Sequence, residues 1–463
     1  MSIEKGIFPS ILKAARVNPI HKKGAKTNIE NYRPISILIN LSKVFEKLIH
    51  GRIESFFHDC NLLSDNQFGF RKKRNTELAI LNLVNRVMPA FTEKLYCICV
   101  FIDFASCFDT VSRNVLFSKL YRYGVRGVGL DLVKSYFSDR TQFVKYKNFS
   151  SFSGNQNIGV IQGSKNGPLF FDIYANELNK LCHDGEIIQF ADDTCLVYSH
   201  DCLDFLVSYV NDRLSFIHNW CKFNKLSINP IKSEYMLFTN RNVPYEPCIK
   251  IGTSVISKRS SLKYLGLNIS DNLKFGTHVN HIKTKLKQFI GITFRLRKFL
   301  NFSATKNFYF SMVYSTLSYC VSVWGGVITD TYIGRKLVPL HERLVKSFFS
   351  EFFEEGENVF KALKLLKIDD IYRYNVSIHM FKLIRLNSNP CLTNCLEISY
   401  PSHLHQTRNR NLLVAPFPRL DVNKMNFQYK FIQVWNELPE EIRNSGTLNV
   451  FKRDLKLFLV SRY

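Results

Sequence analysis

The sequence has no run of about 20 apolar residues, the length a helix needs to cross a membrane core, so no membrane partner is expected. Residues Met1 to Lys22 carry Glu4, Lys5, Lys13 and Arg16 and have no apolar centre, so they do not read as a secretory signal, and a secreted protein is not expected. No segment recurs at a period of 20–50 residues and no low-complexity linker interrupts the chain, which excludes a solenoid. Acid is scarce: Asp plus Glu number 38 against 63 for Lys plus Arg, a net charge of +25. A surface that basic attracts polyanions, of which nucleic acid is the commonest. What is present suffices for folded domains. The chain has 463 residues, 46% of them hydrophobic, and its charges, 22% of residues, are well mixed. That length corresponds to two to four domains of roughly 100–200 residues each, with cores that need neither disulfides nor zinc.

Twelve cysteines are scattered, several inside apolar runs (Cys97, Cys99, Cys195, Cys320), and read as reduced, buried thiols. Cys391, Cys395, His403 and His405 are four potential zinc ligands. His-x-His sets the two rings on opposite faces of an extended segment, so no zinc is expected there.

The hydrophobic pattern places several elements. Leu41, Val44, Phe45, Leu48 and Ile49 recur at helical spacing, which predicts a helix with that face buried. Residues 21–34 are basic and turn-rich. The run Leu-Tyr-Cys-Ile-Cys-Val-Phe-Ile-Asp over 95–103 predicts a core strand with Asp103 at its tip. Over 186–198, two apolar runs flank Asp192-Asp193, which predicts a hairpin turning at the acids. Helical patterns cover about 203–222 and 279–298. The second carries Lys283, Lys285, Lys287, Arg295, Arg297 and Lys298 around its apolar stripe.

Carboxylates at strand ends are costly unless compensated. A pair of Mg²⁺ ions compensates well, because hard cations favour carboxylate oxygens and retain waters and phosphates as further ligands. The plainer alternative is that Asp-Asp simply makes a turn, where Asp is common. The pair alone leaves both open.

The ordered company of these acids carries a resemblance. Phe101-Ile102-Asp103-Phe104-Ala105-Ser106-Cys107-Phe108-Asp109-Thr110-Val111 looks like polymerase motif A of non-long-terminal-repeat, jockey-like retrotransposon reverse transcriptases. Gly159 to Pro168 (GVIQGSKNGP) resembles their motif B, and Phe190-Ala191-Asp192-Asp193 their motif C. Asn31-Tyr32-Arg33-Pro34-Ile35-Ser36 and Gln67-Phe68-Gly69-Phe70-Arg71 are similar to their fingers motifs. Leu226 to Glu234 (LSINPIKSE) is similar to motif D, and Tyr264-Leu265-Gly266-Leu267 to motif E. Trp435-Asn436-Glu437-Leu438-Pro439 resembles a jockey-type segment, so the likeness runs from about residue 6 to the C-terminus.

The resemblance implies an α+β right-hand polymerase: fingers with the start of the palm over 1–95, palm over 96–270, helical thumb over 271–335, and a helical C-terminal domain over 336–463. It implies RNA-directed DNA synthesis, with dNTPs, an RNA template, a DNA primer and the RNA–DNA hybrid as partners. Asp103, Asp192 and Asp193 would hold two Mg²⁺ ions, or Mn²⁺, with Asp193 the less certain ligand because strand neighbours face opposite ways. Phe108, five residues after Asp103, would lie under the incoming sugar and clash with a 2′-hydroxyl. Gln162 and Gly163 would line the nucleotide pocket; Lys22 and Arg33 would grip the triphosphate; Lys232 would donate a proton to pyrophosphate. Arg71, Lys72, Lys73 and Arg74 would contact template, although the same run also fits a nuclear-import patch. Lys283 and Lys287 would hold the hybrid through its phosphates. The family's chromosomal targets imply residence in the nucleus, the cytoplasm or both.

Some positions depart from the family pattern. Ile161 stands where motif B usually has Pro, which would alter the loop before Gln162 and lower activity. Ser106-Cys107 replaces Lys-Ala, and Lys225 stands where Gly is frequent. Family members carry an endonuclease upstream, and the motifs here begin almost at Met1, so polymerisation without target nicking is expected. The competing reading is an inactive, truncated, element-derived nucleic-acid-binding protein. Retention of Asp103, Asp192, Asp193 and Phe108 weighs against it.

Overall fold

A computed structural model describes residues 2–182, 186–354, 356–386, 396, 412–414 and 427–463. The zinc-ligand candidates Cys391, Cys395, His403 and His405 lie outside the described residues. In chain order the strands are β1 (Ala14–His21), β2 (Tyr32–Leu38), β3 (Tyr96–Ile102), β4 (Thr141–Tyr146), β5 (Phe149–Ser150) and β6 (Gly154–Asn155). They continue with β7 (Ile187–Phe190), β8 (Asp193–His200), β9 (Glu234–Phe238), β10 (Lys250–Ile251), β11 (Ser254–Val255), β12 (Ser257–Lys258), β13 (Ser261–Tyr264) and β14 (Leu267–Ser270).

The central sheet runs β12-β9-β3-β8-β7. Its middle strand β3 is buried on both faces, which is why its sequence is continuously apolar. Side chains alternate between two cores. Cys97 and Cys99 enter one hydrophobic cluster, and Tyr96, Ile98, Val100 and Ile102 enter the other. The helix Leu203–Phe223 covers the second cluster with Leu206, Val210, Leu214, Ile217 and Cys221, a stripe at i, i+3 and i+4 spacing.

A second sheet, β2-β1-β4-β5 with β6 on β4, lies ahead of the first in sequence at its β1–β2 arm. The basic stretch over 21–34 is turn-rich as expected, set between the ends of two paired strands. His21 pairs with Tyr32, and residues 22–31 turn.

The first long helix, Asn40–Asp59, corrects the expected buried face. Leu41, Val44 and Leu48 are exposed, whereas Ser42, Glu46, Ile49, Ile53 and Phe57 are buried. The physical reason is Glu46. Its carboxylate accepts the Tyr136 hydroxyl at 2.8 Å and the Lys165 amide at 2.9 Å, so the helix turns its acid inward and its leucines outward.

Beyond β14, the basic helix Gly276–Leu296 buries Val279, Ile282, Leu286 and Phe289. The later helices Leu337–Phe349, Ile368–Ile384, Phe427–Asn436 and Leu448–Ser461 join it in one cluster, which also reaches Cys97 and Cys99 of β3. Polar ties fix these helices to the front of the molecule. Glu77 of the helix Thr76–Val87 meets His379 at 3.1 Å and accepts the Ser322 amide at 3.0 Å. The Tyr319 hydroxyl donates to the Leu265 carbonyl. Among the described residues no helix is long and apolar enough to cross a membrane.

Candidate active site

The site forms where two chain segments end together. Asp103 follows the last residue of β3, and Ile102 pairs with Thr194 of β8. Phe190 and Asp193 close the β7–β8 hairpin, so Ala191 and Asp192 form its turn. Ala191 takes the left-handed conformation this two-residue turn needs, with φ 56°. The sequence thus delivers three acids to one corner of the sheet.

Two loops hold that corner. Gln67, itself buried, sends its side-chain oxygen to the amides of Gly69 at 2.8 Å and Ala191 at 3.1 Å. The Phe68 amide bonds Gln189 O at 2.7 Å, and the Gln189 amide bonds Asn66 O at 2.9 Å. Gly69 packs so closely that an added Cβ would stand 2.4 Å from the Ala191 nitrogen. On the other side, Ser233 Oγ accepts the Asp103 amide at 3.1 Å and donates to Asn229 O at 2.8 Å. The Asn229 amide returns to Asp103 O at 2.8 Å.

The electrostatics are those of crowded like charges. Burial raises the Asp192 carboxyl above its usual range, and the Asp103 charge adds to this while Arg33 opposes it. Burial of its carboxyl group pushes Asp193 up to about 6, with Asp192 and Asp103 adding and Lys22 and Arg33 opposing, although the residue's overall surface is exposed. Lys22 and Arg33 therefore stand within electrostatic reach of the acids, both exposed at the ends of β1 and β2. Among the described residues no three His, Cys, Asp or Glu side chains close into a ready-made metal cage. The donor set is nonetheless carboxylate oxygen, with each acid felt by its neighbours. That suits Mg²⁺, which takes a few protein ligands and completes its shell with water and phosphate.

Phe108 follows Cys107, which stands within electrostatic reach of Asp192, and its ring stacks on Phe171 with centroids 4.7 Å apart and part of its surface open. The motif-B loop lies against it: the Val160 amide bonds Phe108 O at 2.8 Å. The Gln162 amide nitrogen is committed to both oxygens of Asp109 at 2.8 Å rather than left free in the cleft. Gly163, at φ 103°, lies against β2, where a Cβ would meet Ser36 O at 2.5 Å. Ile161 is buried, and its carbonyl accepts both the Ser164 amide and the Ser164 hydroxyl, so this loop closes without a proline.

The other predicted residues are dispersed. Lys232 is exposed next to Ser233, its amide turned to Asn229. Arg71 and Arg74 fold back on their own loop: Arg71 donates to Ser64 O, and Arg74 donates to Asp65 and covers the Phe68 ring. Lys72 pairs with Glu54 at 3.0 Å, and Lys73 is exposed. Lys283 is half-buried and Lys287 exposed on the helix Gly276–Leu296. Gln67, Ser233 and Glu46 were not singled out from sequence. Each has polar or charged sequence neighbours (Asn66; Lys232 and Glu234; Lys47), so no local pattern marked it.

A profile of the family described as reverse transcriptase (RNA-dependent DNA polymerase) matches residues 20–269. The probable RNA-directed DNA polymerase from transposon BS of Drosophila melanogaster is 29% identical over 403 residues, covering 82% of this chain and 43% of that protein. The RNA-directed DNA polymerase from mobile element jockey of the same species is 26% identical over 400 residues, covering 84% and 43%. The chain thus spans less than half the length of these curated relatives. Among solved structures, a telomerase from Candida tropicalis aligns over 82% of this chain and 64% of that one, with 13% identity and a TM-score of 0.42. With its acids at the strand tips of the central sheet and the profile covering more than half its length, this chain belongs to the reverse transcriptase family.

Proposed function

We propose that the chain is the polymerase of a non-long-terminal-repeat retrotransposon, extending a primer on an RNA template with deoxynucleotides. The observation that carries this reading is the convergence of Asp103, Asp192 and Asp193 on one corner of the central sheet, with Phe108 five residues after Asp103 and backed by a second ring. Asp103, Asp192 and Asp193 would hold a pair of Mg²⁺ ions. When bound, these supply positive charge that favours the 3′-oxyanion of the primer and the departing pyrophosphate.

The protein's own residues do the rest. Lys22 and Arg33 offset the charge of the triphosphate as it enters beside the acids. Phe108, kept from retreating by Phe171, occupies the space a 2′-hydroxyl would need. Gln162 and Asp109 lock the loop behind that ring, and Gly163 lets the loop approach β2. Lys232, exposed at the cleft rim, protonates the leaving pyrophosphate. Overall, the primer 3′-oxygen forms a bond to the α-phosphorus, and the bond to the β-phosphate bridging oxygen breaks.

Primer extension tests this. The purified chain, an RNA template, an annealed DNA primer, dNTPs and Mg²⁺ should give DNA product. A folded chain that binds the hybrid and adds no nucleotide would overturn the reading.

A further inference from the structure

Four aromatic rings cross one face of the β1–β2–β4–β5 sheet at its outer end. His21 and Tyr32 pair in register across β1 and β2, with ring centroids 5.3 Å apart. Tyr146 and Phe149 pair in register across β4 and β5, so they share a face. The Tyr32 and Tyr146 side chains come within reach of each other, which joins the two pairs into a row. Such rings normally go inside, yet Tyr146 is 47% and Phe149 79% exposed. Phe152, in the loop that follows β5, is fully exposed.

The surroundings are basic. Lys147 lies over the Tyr146 ring at 5.6 Å. Lys23, Lys26 and Lys147 are exposed in the turns next to these rings, and Glu30 is the one acid in residues 14–38 and 140–158. Arg33 follows Tyr32 on β2, so it points to the opposite face, and both Arg33 and Lys22 stand within electrostatic reach of Asp193. The row therefore lies on the opposite face of β2 from Arg33, which reaches toward the acids.

We propose that His21, Tyr32, Tyr146 and Phe149 form a stacking platform for unpaired bases of the RNA template before it enters the cleft. Every base has a face that stacks on an aromatic ring, so such a row takes single strands of any sequence, while the lysines neutralise the backbone. Exposed Lys23, Lys26 and Lys147, with Glu30 the one acid nearby in sequence, favour a polyanion over a neutral protein partner. The inference rests on the proposed copying of RNA, since it names the path of that template.

The test is fluorescence anisotropy of a labelled single-stranded RNA dodecamer with the full chain, comparing Phe149→Ala, Tyr146→Ala, the double variant and Phe149→Tyr. Removing either ring should weaken binding roughly tenfold, Phe149→Tyr should retain it, and the salt slope should not change because no phosphate contact is lost. In primer extension, the double variant should lose the KM advantage of a template with a long 5′ overhang over one with a single-nucleotide overhang. Affinity within twofold of the parent in the double variant would overturn the platform. So would a loss of self-association in sedimentation with RNA binding intact, since that would make the face a contact between copies. If the parent adds no nucleotide at all, the polymerase reading fails while the anisotropy series still decides the platform.

Discussion

The side-chain oxygen of Gln67 accepts the backbone amide of Ala191 at 3.1 Å, which ties a loop before the central sheet to the turn that carries Asp192. The same oxygen holds the Gly69 amide, so one side chain satisfies two backbone donors. Gln67→Ala strands both. The expected cost is about 2–4 kcal/mol in stability, with extension falling further than hybrid binding because the hairpin loosens. Gln67→Glu keeps the acceptor and should restore much of both. Denaturant melts and paired kinetic and binding measurements check this.

In the proposed function Phe108 lies under the incoming sugar, and Phe171 fills the space behind its ring at 4.7 Å. Phe108→Val should raise incorporation of ribonucleotides relative to deoxynucleotides by at least about tenfold, as the steric rejection is removed. Phe171→Ala, which only frees the ring to retreat, should relax the choice less. Single-nucleotide competition assays with rNTP and dNTP read this directly.

The two faces of the helix Asn40–Asp59 should respond in opposite ways to mutation. Leu48→Gln lies on the exposed face and should change stability by less than about 0.5 kcal/mol. Glu46→Ala leaves the Tyr136 hydroxyl and Lys165 amide unpaired in the interior and should cost about 3 kcal/mol. The loop bearing Gln162 should lose protection from hydrogen exchange in the same variant.

That pair of residues marks where sequence legibility ended. β3 was legible because burial on both faces makes a continuous apolar run, and the hairpin because two such runs flank its acids. The face of the first helix was not, because apolar periodicity cannot know that a distant tyrosine and a loop amide recruit Glu46 inward. Ser233 and Gln67 were hidden for a related reason: each acts on a backbone group brought near only by tertiary packing. Gln162 was placed at the right loop, but its commitment to Asp109 depends on a side chain 53 residues earlier.

Acid should destabilise the chain through two buried histidines. Burial, with His281, Lys285 and Lys263 nearby, lowers His278 from 6.5 to about 4, and its Nδ1 faces the Asn268 amide as an acceptor. Burial lowers His341 from 6.5 to about 3. Below pH 6.5 the unfolded chain binds protons that the folded chain refuses, so stability rises with pH there. The stabilisation is complete above about pH 6.5 and is lost as pH falls toward 4. His278→Asn keeps an acceptor without the titration and should flatten that limb in melts followed by circular dichroism.

The most direct test of the central claim is primer extension on an RNA template by the parent and by Asp192→Asn, with melting of both followed as Mg²⁺ is added. The account predicts that the parent extends and is stabilised by Mg²⁺. It predicts that the variant loses extension by about a hundredfold or more, keeps its metal-free melting temperature because a crowded charge has been removed, and gains less from Mg²⁺. Extension by Asp192→Asn at the parental rate would contradict it, because the acids at the hairpin turn would then not be where the chemistry occurs.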